Sequence, residues 1–332
     1  MGIACFEACL RQQDLNPAMG DSWASSILMA LESLMSHQSA DSRLRWWRDQ
    51  PLGISGCGGI LLGLQQLGKS EWVDVLLDAA LPRFIEADQQ LDVIGGCAGL
   101  IGSLLAEKSE VALLLAVTAG DHLLTSQQPQ GSWLSGRDNQ GLLGFSHGTA
   151  GYAAALARLH AITGEERFRD GAKAALAYER SFFQADQGNW PDFRDASKAA
   201  EAEPSFMVAW CHGAPGIALG RACLWGTDLW DQQCEEEIRI AMQTTLTQPE
   251  PSMDHLCCGG LGLMAVLEAV VSGPWCTDAE TRSMAQQKAD GYRASVLERC
   301  SGGRLDLRCF QTQEGSLSLP GFMTGLSGIG LA

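Results

Sequence analysis

The chain is short of charge, and of positive charge above all. Of its 332 residues 19% are charged, 23 basic against 39 acidic, for a net charge of −16. That balance argues against a nucleic-acid surface, which depends on Lys and Arg to neutralise phosphates. The N-terminus, Met1-Gly2-Ile3-Ala4-Cys5-Phe6, has neither the basic region nor the long apolar stretch of an export signal. No stretch reaches about 18 uninterrupted apolar residues, so no membrane span is expected and the expected location is the cytoplasm. Strand-like alternation is nearly absent. Three common chemistries also lack their signatures: there is no Gly-x-x-x-x-Gly-Lys-Ser/Thr, no His-Glu-x-x-His, and no glycine turn that follows a strand as a dinucleotide site requires. Hydrophobic residues make up 46%, a value normal for a soluble globular enzyme. The length admits one large domain or two ordinary ones.

Cysteine and glycine, by contrast, are plentiful, with 12 and 38 residues. In a chain with no export signal the cysteines argue against a disulfide framework; some are candidate metal ligands and most are small buried apolar residues. The glycines reveal a repeat. A Gly-x-x-Gly turn followed by an apolar, helix-like run occurs at Gly56-Cys57-Gly58-Gly59, Gly96-Cys97-Ala98-Gly99, Gly148-Thr149-Ala150-Gly151, Gly213-Ala214-Pro215-Gly216, Gly259-Gly260-Leu261-Gly262 and Gly325-Leu326-Ser327-Gly328. The opening Gly2-Ile3-Ala4-Cys5-Phe6 reads as the second glycine of a seventh copy. Between copies, Trp72 to Ala87, Ala112 to Ser126 and Arg167 to Phe183 are apolar at helical spacing. Each interval therefore holds two helices. The expected fold is all-α: seven repeats giving inner and outer rings of helices, an α/α toroid, with an open α-solenoid as the structural alternative. Two long loops, Gln184 to Ser205 and Gln248 to Asp254, each precede a cysteine-bearing copy, and loops of such length are often functional.

If rotation about an axis relates the copies, equivalent positions face one shared space. The position before the first glycine reads Ser55, Gly95, His147, His212, Cys258 and Thr324; the one before that includes Cys211 and Cys257. Three thiolates, from Cys211, Cys257 and Cys258, with a fourth position open make a plausible catalytic zinc site. The bland alternative is that the adjacent pair is buried filler. His147 is a candidate general acid/base, or a satisfied core or cap histidine. Asp92, four residues before its own glycine turn, is either a helix N-cap or a carboxylate that orients His147. His212 and His255 adjoin the cysteines and suit supporting roles or exchange with a cysteine as ligand. Cys57 and Cys97 sit inside the glycine turns, where tight packing explains them; Cys5, Cys9, Cys223, Cys234, Cys276, Cys300 and Cys309 are read as structural.

Taken together, Gly144-Phe145-Ser146-His147-Gly148-Thr149-Ala150-Gly151, Trp210-Cys211-His212-Gly213-Ala214-Pro215-Gly216, Leu256-Cys257-Cys258-Gly259 and Pro320-Gly321-Phe322-Met323-Thr324-Gly325 resemble the LanC-like lanthionine cyclases, in the family's order along almost the whole chain. The resemblance implies a double-layered toroid of seven inner and seven outer helices with a central zinc ion. It also implies closure of thioether rings by addition of cysteine thiols to dehydroalanine or dehydrobutyrine in a precursor peptide bearing a leader. By family role, Cys211, Cys257 and Cys258 would bind Zn2+, His147 would be the acid/base, and Asp92 would assist it. Asp92-Val93-Ile94-Gly95-Gly96 is most similar to the cyclase half of class II lanthipeptide synthetases, which carry a dehydratase domain upstream. The chain starts inside the first repeat and ends just after the seventh glycine turn, so residues 1–332 are expected to be a single cyclase domain truncated at both ends. Where the usual family motif is Leu-Cys-His-Gly, this chain has Leu256-Cys257-Cys258-Gly259, a three-cysteine pattern that resembles the prochlorosin-type synthetases. Two alternatives are zinc-dependent conjugation of glutathione or a similar thiol, and a non-catalytic peptide-binding toroid with structural zinc.

Overall fold

Helices begin directly at the glycine turns. The computed structural model describes residues 49–301 apart from 67, 69, 80, 135–139, 195–204 and 277, together with 306–312, 315–317, 323, 324, Met29 and Ser33. Within them lie helices α1 (Cys57–Gln66), α2 (Ser70–Ala79), α3 (Leu81–Ala87), α4 (Cys97–Glu107), α5 (Glu110–Ser126), α6 (Thr149–Thr163), α7 (Glu166–Arg180), α8 (Ala214–Ala222), α9 (Gln232–Thr247), α10 (Gly260–Val271) and α11 (Ala279–Arg299). The glycine turns at Gly2 and Gly325, with Cys5 and Cys9, lie outside the described residues. A short antiparallel hairpin, β1 (Phe310–Thr312) and β2 (Gly315–Leu317), pairs Phe310 with Leu317.

Helices that follow a glycine turn form the inner layer. α1, α4, α6, α8 and α10 each pack on the next in that order, while α2, α5, α7, α9 and α11 back them from outside. Burial separates the layers: 10 of the 15 residues of α6 are buried, but only Ala285, Ala289 and Tyr292 of the 21 in α11. The outer helices are stabilised at their ends by side chains. Ser109, Asp231 and Asp278 accept hydrogen bonds from the first-turn N–H groups of α5, α9 and α11. The inner helices instead start on glycine, at Gly96, Gly148, Gly213 and Gly259. The second glycine of a copy has a packing reason: a Cβ on Gly99 would collide with the Val93 carbonyl oxygen, and one on Gly262 with that of Leu256.

Two details differ from the periodicity. The stretch Trp72 to Ala87 is two helices, since Pro82, in the first turn of α3, has no N–H to continue the ladder from α2. α7 stops at Arg180, short of Phe183. Phe182 and Phe183 turn away to pack edge-on or tilted against Tyr178, Phe193 and Trp190.

Backbone hydrogen bonds join each glycine turn to the next. Ile54 N–H donates to Val93 O (3.1 Å) and Ser55 N–H to Ile94 O (2.9 Å); Val93 N–H donates to Ser146 O (3.1 Å); Phe145 and Ser146 N–H both reach Cys211 O (3.1 Å); Cys257 N–H reaches Met323 O (2.8 Å). Among the described residues, the turn of Cys211 and that of Cys257 and Cys258 meet through sulfur instead, with Cys211 Sγ 3.5 Å from Cys258 Sγ. The double layer and this succession of turns are those of an α/α toroid.

Candidate active site

Asp92 and His147 come from successive turns that are already tied by the Val93–Ser146 bond. Asp92 is buried. Its Oδ1 accepts the Gly95 N–H at 2.7 Å, inside the turn that precedes α4, and its Oδ2 lies 2.6 Å from His147 Nδ1. The helix N-cap expected as one alternative is Gly96 instead, so the contact with His147 is what distinguishes Asp92. A buried carboxylate at Nδ1 favours the tautomer with the proton on that nitrogen, which leaves Nε2 as a basic lone pair. The His147 side chain is 38% exposed, open enough for a ligand to reach. Leu91, just before Asp92, has a φ of 63°, a costly conformation for a branched residue and one that clusters at functional sites.

Cys211, Cys257 and Cys258 bring their sulfurs within 4.8 Å of one another, and Cys258 Sγ is 3.5 Å from both others. A tetrahedral zinc with bonds of about 2.3 Å holds its sulfur ligands roughly 3.8 Å apart, so the set fits that ion. The cluster also favours a thiolate. Hydrogen bonds from Cys211, then Cys257, hold the Cys258 thiol far below its usual range, while hydrogen bonds with Cys257, then Cys258, push Cys211 up. Such sharing of one negative charge is what a cation would replace. The site sits low on two well-anchored loops. His255 Nδ1 accepts the Cys258 N–H (3.3 Å), and Asp254 ties the approach to the pair down by accepting the Arg308 N–H (2.7 Å) and by ion pairs to Arg299 and Arg308.

His212 links the two parts. It is buried, its ring lies 5.9 Å from that of His147, and its Nδ1 is 3.1 Å from Leu143 O, to which it donates. Burial, then the charge of Arg194, pushes its pKa down to about 4, so it is neutral at physiological pH. Gly144 makes the approach possible: at φ +91° it lets the turn press on His212, where a Cβ would stand 2.9 Å from the His212 Cα.

Sequence reasoning missed part of this neighbourhood. The loop after α7 brings in Asp192 and Arg194, with Arg194 Nε 2.9 Å from Asp192 Oδ1 and Nη2 2.5 Å from Oδ2. Asn189 fastens the loop, donating to Met207 O (3.2 Å) while its Oδ1 accepts the Ala214 N–H (2.7 Å) at the start of α8. The only hint was the loop's length before a cysteine-bearing turn. Cys57 and Cys97 are both fully buried in the helix packing, and Cys97 stands with Asp88 and His122 in a second group whose ligand-type atoms lie within 4.8 Å of one another.

The chain belongs to the lanthionine synthetase C-like family, whose model matches residues 1–332. Among solved structures it is similar to nisin cyclase, at 19% identity over 99% of this chain and 85% of that one, with a TM-score of 0.71. That likeness gives the same fold, a LanC-like toroid. A comparison with curated protein sequences gave no match. No described helix is long and apolar enough to cross a membrane.

Proposed function

We propose that the chain is a zinc-dependent lanthipeptide cyclase that joins peptide cysteine thiols to dehydroalanine or dehydrobutyrine, working in the cytoplasm as the cyclase part of a class II synthetase on a leader-bearing precursor dehydrated by an upstream domain. The observation that carries this reading is the neighbourhood of a three-sulfur cluster and an imidazole oriented by a buried carboxylate. Cys211, Cys257 and Cys258 would hold the zinc. The bound ion supplies Lewis acidity that lowers the pKa of a substrate thiol.

His147 moves the proton. With Nδ1–H held by Asp92, its Nε2 takes the thiol proton of the substrate and later gives it to the α-carbon. Electrons and atoms balance: the sulfur–β-carbon bond forms, the Cα–Cβ π bond breaks, its electron pair rests on the carbonyl oxygen as an enolate, and protonation of the α-carbon restores the carbonyl. Mass is unchanged. The neutral, buried His212 adds no competing acid beside His147.

The test is incubation with a dehydrated, cysteine-containing peptide with and without a chelator, followed by thiol alkylation and mass spectrometry. Zinc-dependent loss of free thiol at constant mass is expected. A thiol that survives with zinc present overturns the reading, and a product heavier by an added small thiol points to conjugation instead.

A further inference from the structure

The addition described above places negative charge on the acceptor's carbonyl oxygen, while the proton that His147 then carries is committed to the α-carbon. The loop after α7 offers that oxygen a positive partner. Asp192, whose side chain is 10% exposed, grips the guanidinium of Arg194 along its Nε and Nη2 edge, and Nη2 also lies 2.9 Å from Met207 Sδ. Asp192 is itself held at both ends of its peptide, its N–H donating to Ser205 O (2.8 Å) and its C=O accepting from the Ser205 hydroxyl (3.2 Å). With Asn189 fastening Met207 to the first turn of α8, the arginine is carried by a loop locked onto the very turn that bears Cys211 and His212. Its side chain remains 39% exposed, and Nη1 is the nitrogen that Asp192 does not engage.

We propose, building on the cyclase reading, that Arg194 is a catalytic residue that receives the carbonyl oxygen of the dehydroamino acid and stabilises the enolate formed as the thiol adds. Geometry agrees with its location: Asn189 bonds both Met207 O, on the residue whose sulfur Arg194 touches, and the Ala214 N–H, three residues after Cys211. A guanidinium suits the task because it stays charged and presents donors in a fixed plane. Preorganisation by Asp192 means that little reorganisation is needed when charge appears.

The experiment uses the full, zinc-loaded chain and a synthetic peptide carrying one dehydroalanine and one cysteine, comparing wild type with Arg194→Gln and Arg194→Lys. Arg194→Gln is expected to lower kcat by ~100-fold, the scale of one lost oxyanion donor, with KM nearly unchanged. Arg194→Lys, which keeps the charge and the pair with Asp192, should fall between them, and zinc content and helical circular dichroism should match wild type in both. Wild-type kcat in Arg194→Gln overturns the assignment, as does a loss expressed in KM alone, which would mean peptide recognition, or in zinc content, which would mean a structural role. A wild-type chain that cyclises nothing with zinc bound overturns the cyclase reading itself, and the assignment with it.

Discussion

Asp92 and His147 stand 55 residues apart in the chain yet meet at 2.6 Å, Oδ2 to Nδ1, one repeat across from each other. The carboxylate is buried and the imidazole half-open, which suits a fixed orienting group and a group that must reach a substrate. Asp92→Asn can keep the bond to the Gly95 N–H, but its amide donates to Nδ1 and moves the imidazole proton to Nε2. Cyclisation should then fall by ~100-fold or more, with zinc content unchanged, in a thiol-alkylation time course.

His147→Ala separates chemistry from architecture. Removing the imidazole leaves the buried Asp92 carboxylate short of one partner, so unfolding free energy should fall by about 1–3 kcal/mol in a urea titration, while zinc-dependent ring closure is lost. Lost ring closure with zinc retained excludes a non-catalytic, peptide-binding toroid, whereas retained ring closure would remove His147 from the reaction.

Cys258→His asks what the third thiolate does. An imidazole keeps a competent zinc ligand but removes one negative charge from the metal site, so a substrate thiolate there becomes less nucleophilic. Zinc should stay at one per chain by metal analysis. Cyclisation should slow most for poorly fitting substrates, and equal slowing across a peptide panel would sink the idea.

Asp254→Asn tests the support beneath the cysteine pair. Losing the ion pairs with Arg299 and Arg308 loosens the loop that presents Cys257 and Cys258. Zinc affinity, measured by competition with a chromophoric chelator, should weaken by about 10- to 100-fold.

Arg221→Met addresses the core. Arg221 is fully buried between Glu179 (2.7 Å) and Glu237 (2.5 Å), and Glu179 in turn accepts the hydroxyl of Thr149, two residues after His147. Glu237 keeps Arg180 at 2.8 Å, so the change strands the buried Glu179; the cost should be about 3–5 kcal/mol in chemical denaturation, and adding Glu179→Gln should recover part of it.

The repeat made much of this visible in advance. Because the copies share a register, the position before the first glycine led directly to His147 and Cys258, and the position before that to Cys211 and Cys257. Asp92, four residues before its own glycine and so outside that register, could be read only as a cap or as an orienting carboxylate. Arg194 and Asp192 have no register: they lie in a polar loop whose path depends on the Asn189 and Ser205 contacts, which no periodicity encodes. The Arg221 cluster escaped likewise, since its partners sit on α7, α8 and α9 and are matched only when the layers pack. Pro82 was a local signal, and it, rather than the apolar spacing, set where the outer helix divides.

The sulfur contact between two otherwise hydrogen-bonded turns has a mechanical consequence. Cys211 and Cys258 are 47 residues apart, so an ion held by them fastens a long stretch of chain in the manner of a cross-link. On the proposed function, zinc loading would close a seam of the barrel as well as arm the reaction. Amide hydrogen exchange at the flanking turns should slow on zinc addition, making the ion an inspector of the fold before any peptide arrives.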